Sequence, residues 1–247
     1  MVASDRAWCP PGWSRREYAH RGHAHTYYVV GERRWRRRPS VMLISEFPGI
    51  NDHLVRLADT LAADFRVVVP SILGSDGSPT YASGLHQILC VRRELHLLAR
   101  NSISRSVDWL RDFGDDVVGI GGRRWGVIGM CFTGGFALAL AVDPSVAAAV
   151  VAQPTAPARA SSLGLSRADR RALAAREDLC VRGYRFDGDT ASPPAKLEAA
   201  ERLLGRGRMQ AFTLPPTGPR AHSTLTGPQR SDKAVAEVHA FLRERLR

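Results

Sequence analysis

Short apolar runs alternate along the chain with stretches whose apolar positions recur at helical spacing. Residues 26–31 (TYYVVG), 41–45 (VMLIS), 65–70 (FRVVVP), 124–130 (RWGVIGM), 146–152 (VAAAVVA), 179–186 and 209–214 are predicted strands. Residues 52–63, 104–113, 136–142 and 232–246 are predicted helices, with Val107 and Leu110 on one face of the second. Strands that are apolar almost throughout, separated by helices, imply an α/β fold with a mostly parallel central sheet covered on both faces. Ligands of such sheets bind beyond the carboxyl ends of the strands, so residues that follow strands are the ones to search for chemistry.

Length and composition narrow the picture. The 247 residues, 44% hydrophobic, suffice for one sizeable core, and the expectation is a single domain over 1–247 with a loosely structured segment at 1–17. No apolar stretch reaches the length of a membrane span, and the first residues lack the apolar core of a secretory signal, so a cytoplasmic protein without a membrane partner is expected. The formal charge of +11 is nearly all arginine, since Lys196 and Lys233 are the only lysines. Its one cluster, Arg33, Arg34, Arg36, Arg37 and Arg38, falls in a turn between predicted strands and reads as a solvated turn, without a nucleic-acid partner. Cys9, Cys90, Cys131 and Cys180 show no CxxC pair and no His/Cys spacing of a zinc site, so neither a metal nor another cofactor is expected.

Four segments carry candidate chemistry. In Gly129-Met130-Cys131-Phe132-Thr133-Gly134-Gly135 a predicted strand ends at Met130 and a small-residue helix follows, which puts Cys131 where a nucleophile elbow exposes its side chain. An inert cysteine in a glycine-rich turn fits the same pattern. Glu46 directly follows the run 41–45, and Phe47-Pro48-Gly49 turns the chain there. A carboxylate at a strand end is costly to bury without partners, although a turn-stabilising glutamate would look alike. Asp187 and Asp189 lie in the loop after the strand 179–186. His222 lies in a Pro/Gly-rich loop between the last strand and the last helix. Nucleophile, acid and histidine therefore occur in the order of an α/β-hydrolase triad. The other histidines lack such placement and read as structural.

Together these segments resemble the dienelactone hydrolase family, from about Tyr18 to the C-terminus. The resemblance rests on the cysteine elbow at Cys131, the early strand-end glutamate Glu46, the acid loop with Asp189 and Pro193, and the late His222-Ser223 pair. It implies the α/β-hydrolase fold and cleavage of a small-molecule ester or lactone through a thioester. Cys131 would be the nucleophile, His222 the general base and Asp189 the residue that orients it, with Asp187 as the other candidate acid. The backbone N–H groups of Phe132 and Phe47 would receive the oxyanion. Glu46 would take part in switching the thiol between resting and reactive forms. Two positions depart from the family. Thr133 stands where the family has glycine, and residues 223–226 lack the arginine that the archetypal enzyme uses on a substrate carboxylate, leaving Arg92 and Arg93 as the substrate-binding candidates. A non-hydrolytic acyl transferase or cyclase on the same fold, or an inactive basic binding module, would share these features.

Overall fold

The computed structural model describes residues 8–20, 22–32, 38–72, 76–77, 105–155, 159 and 161–247. Arg92, Arg93 and residues 33–37 of the basic cluster lie outside them. Arg38 donates a 2.6 Å hydrogen bond to the Ala62 carbonyl.

Eight strands form one sheet: β1 (Ser14–His20), β2 (His23–Val30), β3 (Ser40–Ile44), β4 (Arg66–Pro70), β5 (Trp125–Met130), β6 (Val146–Ala152), β7 (Cys180–Phe186) and β8 (Met209–Leu214), in the spatial order β1-β2-β4-β3-β5-β6-β7-β8. The β1–β2 and β2–β4 pairs are antiparallel, and every other neighbouring pair is parallel. Among the described residues, six α-helices accompany them: α1 (Asp52–Leu61), α2 (Arg105–Phe113), α3 (Gly134–Leu140), α4 (Arg167–Ala175), α5 (Pro194–Leu204) and α6 (Asp232–Arg245).

The pleat sorts side chains into two cores. Met42 and Ile44 of β3, with Ala149 and Val151 of β6, face α2, α3, α4 and α5. Val41 and Leu43, with Ala148 and Val150, face α1 and α6. Both faces of the central strands are therefore dry, which is why these strands read as unbroken apolar runs. Each fully buried Val, Leu or Ile contributes roughly 1.5–3 kcal/mol. Helix starts are fixed locally. Asn51 caps α1 by accepting from the N–H groups of His53 and Leu54 at 3.0 and 3.1 Å, and Ser231 caps α6 by accepting from that of Ala234 at 3.2 Å.

Three elements depart from the expectations. The segment expected to be loose up to residue 17 is in strand from Ser14 onward. Its residues are mostly exposed, so no hydrophobic alternation marks it. The β2 ladder and the Tyr18 ring, 5.5 Å from Trp109 and 5.4 Å from Phe113 between centroids, hold it in place. Helices α4 and α5 were not anticipated. Of α4 only Leu173 is buried, and α5 begins behind Pro193, with Leu197, Ala200 and Leu204 facing the core. Among the described residues, no helix is long and apolar enough to cross a membrane.

Candidate active site

Five adjacent strands deliver the polar groups of one site. Cys131 follows β5, Glu46 follows β3 on one side, and Gln153 follows β6 on the other. Asp189 lies in the turn after β7, and His222 in the loop after β8.

The turn at Cys131 is a sharp one. Its φ is +55°, a left-handed value that costs a non-glycine residue about 1–3 kcal/mol. The strand runs straight into a 3₁₀ turn, Cys131–Thr133, and then into α3. The close approach requires Gly129: a β-carbon there would lie 2.2 Å from the Thr133 carbonyl oxygen. Thr133, where the family resemblance has glycine, is fully buried at φ −79°. Its hydroxyl accepts from the Met130 N–H at 2.9 Å and donates to the Met130 carbonyl at 2.8 Å, so the larger residue ties the elbow together.

The Cys131 thiol is half-buried and shares a 3.4 Å hydrogen bond with the Thr155 hydroxyl, while the Thr155 N–H donates to the Cys131 carbonyl at 3.2 Å. His222 donates through Nδ1 to Asp189 Oδ2 at 2.7 Å, which leaves Nε2 for the thiol. Asp189 is held in turn by the N–H groups of Ala191 and Ser192, at 3.0 and 3.3 Å from Oδ1. Asp187, the other candidate acid, is exposed and faces Arg185 at 3.9 Å. The structure thus brings Asp189, and not Asp187, to His222.

Burial pulls the His222 imidazole down. Its hydrogen bonds to Asp189 and Cys131, and the charges on both, outweigh burial and push its pKa up to about 10. Burial pushes Asp189 up. The His222 hydrogen bond and charge, helped by the two backbone N–H groups, reverse this and hold its carboxyl below the usual range. Each member of the pair thus favours the charged form of the other.

Glu46 is buried, at 8% exposure, and is bonded to three neutral donors from two segments. Gln153 Nε2 donates to its Oε2 at 3.1 Å, Ser223 Oγ donates to the same oxygen at 3.0 Å, and Thr226 Oγ1 donates to Oε1. Gln153, fully buried with φ +33°, also accepts from the Thr224 N–H at 3.0 Å and its hydroxyl at 2.5 Å. One side chain thereby links the ends of β3 and β6 to the histidine loop. Sequence reasoning passed over Gln153, Thr155, Thr224 and Thr226. The first of these sits directly after a predicted strand, and that placement was the available signal. Glu46, Cys131 and His222 each bring one donor atom within 4.8 Å of the others.

Phe132 lies inside the 3₁₀ turn, where the first N–H groups lack intrahelical acceptors. Phe47 lies inside the turn that the Gly49 N–H closes on the Glu46 carbonyl at 2.9 Å.

Comparison with curated proteins finds no match. Among solved structures, a candidate dienelactone hydrolase from Klebsiella pneumoniae superposes with a TM-score of 0.67 at 15% identity, over 95% of this chain and 97% of that one. A dienelactone hydrolase-like promiscuous phosphotriesterase from metagenomic libraries gives 0.64 at 17% identity, over 95% and 98%. Est1E from Butyrivibrio proteoclasticus gives 0.60 at 14% identity, over 94% and 98%. These likenesses establish the α/β-hydrolase fold. Residues 26–176, more than half of the chain, match the sequence model of one family. The chain belongs to the dienelactone hydrolase family and is an ester hydrolase of the α/β-hydrolase fold.

Proposed function

We propose that the protein cleaves a small-molecule ester or lactone with Cys131 as nucleophile, through a thioester. The observation that carries this reading is the line from Cys131, on its strained turn, through His222 to Asp189. The hydrogen bonds and charges of Asp189 and Cys131, which raise the imidazole pKa to about 10, favour the imidazolium form of His222 beside the sulfur.

The sulfur attacks the carbonyl carbon. The developing oxyanion accepts hydrogen bonds from the N–H groups of Phe132 and Phe47, each worth roughly 3 kcal/mol in the transition state. The imidazolium gives its proton to the departing alkoxide. Acylation removes the negative charge on sulfur, one of the causes that raise the His222 pKa. The neutral imidazole then accepts a proton from the water that attacks the thioester, and the acid and free thiol are restored. Asp189 keeps Nδ1 protonated throughout and stabilises the imidazolium. Glu46 lies beside the sulfur, with one donor atom within 4.8 Å of those of Cys131 and His222, and Arg92 and Arg93 remain the candidates for holding a substrate carboxylate.

Cys131→Ala should lower turnover of an activated ester by roughly 10⁴-fold or more while leaving the circular dichroism spectrum unchanged. Iodoacetamide should label Cys131 ahead of Cys9, Cys90 and Cys180. Full activity in Cys131→Ala would overturn the assignment, and absence of turnover on every ester, lactone and thioester tried would favour a non-hydrolytic reaction.

A further inference from the structure

We infer that Glu46, Cys131 and His222 form a site for a borderline-soft divalent cation of the zinc type, which on binding masks the thiol. The inference stands on the arrangement of donor atoms and does not need the hydrolytic reading. One donor from each residue lies within 4.8 Å of the other two. Thiolate, imidazole and carboxylate are the three donor kinds that zinc takes, and three protein ligands with a fourth position open to water is a common zinc geometry. Bond lengths of about 2.0–2.3 Å place tetrahedral donors roughly 3.3–3.7 Å apart, so side-chain rotations of about 1 Å bring these three onto one ion.

The surroundings suit a metal as well as the ligands do. His222 presents Nε2 because Nδ1 is committed to Asp189 Oδ2 at 2.7 Å, the carboxylate–histidine arrangement that fixes the tautomer of zinc-bound histidines. An ionised carboxylate offers about four acceptor sites. Gln153, Ser223 and Thr226 occupy three on Glu46, leaving one for an ion. All three partners are neutral, so none of the described residues bonded to Glu46 is a cation that would have to be displaced. A single carboxylate beside a thiol and an imidazole is a poor site for magnesium or calcium, which prefer oxygen-rich sets. The ligands come from the ends of β3, β5 and β8, which is why no Cys/His spacing in the sequence announces them.

Binding forms a metal–sulfur, a metal–nitrogen and a metal–oxygen bond. The proton shared by Cys131 and His222 leaves to solvent, water fills the fourth position, and nothing is oxidised or reduced. Whether the proton rests on sulfur or on nitrogen beforehand, one is released.

Cobalt(II) added to the full-length protein is the direct probe. The expected result is a near-ultraviolet thiolate-to-cobalt charge-transfer band that saturates at one equivalent, disappears on adding zinc, and is absent from Cys131→Ala and Cys131→Ser. His222→Ala and Glu46→Gln should each weaken cobalt binding by at least roughly tenfold. Circular dichroism of each variant shows that the fold is kept, and the pair of cysteine variants guards against one failing to fold. Zinc should also protect Cys131 from iodoacetamide in the wild type. No band in the wild type, or a band that survives in both cysteine variants, overturns the inference. A cobalt band in a protein that turns over no ester would sink the hydrolytic reading alone, whereas Cys131-dependent turnover without a band would sink the metal site alone.

Discussion

Two carboxylates lie at this rim of the sheet, each 8% exposed, and their surroundings differ in kind. Asp189 faces a group that carries charge. Its partner is the His222 ring at 2.7 Å, and the pair raises one pKa while lowering the other. Among the described residues, the hydrogen bonds to Glu46 come from neutral donors, the amide of Gln153 and the hydroxyls of Ser223 and Thr226. Equal burial thus serves two ends. A carboxylate bonded to an imidazole sets where protons reside. A carboxylate bonded to an amide and hydroxyls from separate segments holds those segments in register, because removing any one donor or acceptor leaves a buried polar group unmatched.

The contrast can be tested from its strongest consequence downward. Asp189→Asn should lower kcat/KM by roughly 10³–10⁴-fold, since the amide no longer fixes the imidazole tautomer. Asp187→Asn in the same ester assay should leave kcat/KM within about threefold, as expected of an exposed substitution away from the site. Equal losses in the two variants would erase the distinction drawn between them. Gln153→Ala should tell chiefly on stability. It strips partners from Glu46 and from the Thr224 N–H and hydroxyl, so urea unfolding should show a loss of about 2 kcal/mol. Its activity loss should be at least roughly tenfold smaller than that of Asp189→Asn, provided the reacting groups stay within about 1 Å of their places. Thr133→Val, which removes the hydroxyl that accepts from Met130, should cost about 1 kcal/mol in the same unfolding experiment.

A graded effect follows from pH. His222 has a folded pKa of about 10 against an ordinary value of 6.5, so folding tightens its hold on a proton. The stability this contributes is fully present below pH 6.5 and is lost as pH rises through 10. The margin in Tm of the wild type over His222→Gln should therefore shrink steadily between those limits. A margin independent of pH would mean that the ring is neutral in the folded protein.

Much of this was legible in the sequence. The central strands announce themselves because both faces are dry, and Cys131, Glu46, Asp189 and His222 stand out because polar residues at strand ends in a fixed order are a positional signal. What stayed hidden depends on side-chain direction. Asp187 and Asp189 sit in one loop and are equal as letters; only the turn at Gly188, with φ +73°, and the two N–H groups behind Asp189 separate them. Gln153 reveals its role only when three loops meet around it. Thr133 looks like a defect in a glycine motif until its hydroxyl is seen bridging the Met130 backbone. The helix α4 escaped because Leu173 is its only buried residue, too little for an apolar period.

Strand β1 was missed for a reason that turns out to matter for the molecule. As the outermost of the described strands it has no described strand on its other side, an edge of the kind that can pair with another chain. Arg15, Arg16 and Glu17 are exposed along it. A second molecule docking there would have to strip water from these charges. The composition that disguises this segment as a loop thus lines the outer edge of the sheet with charge, a feature that disfavours pairing with a further strand.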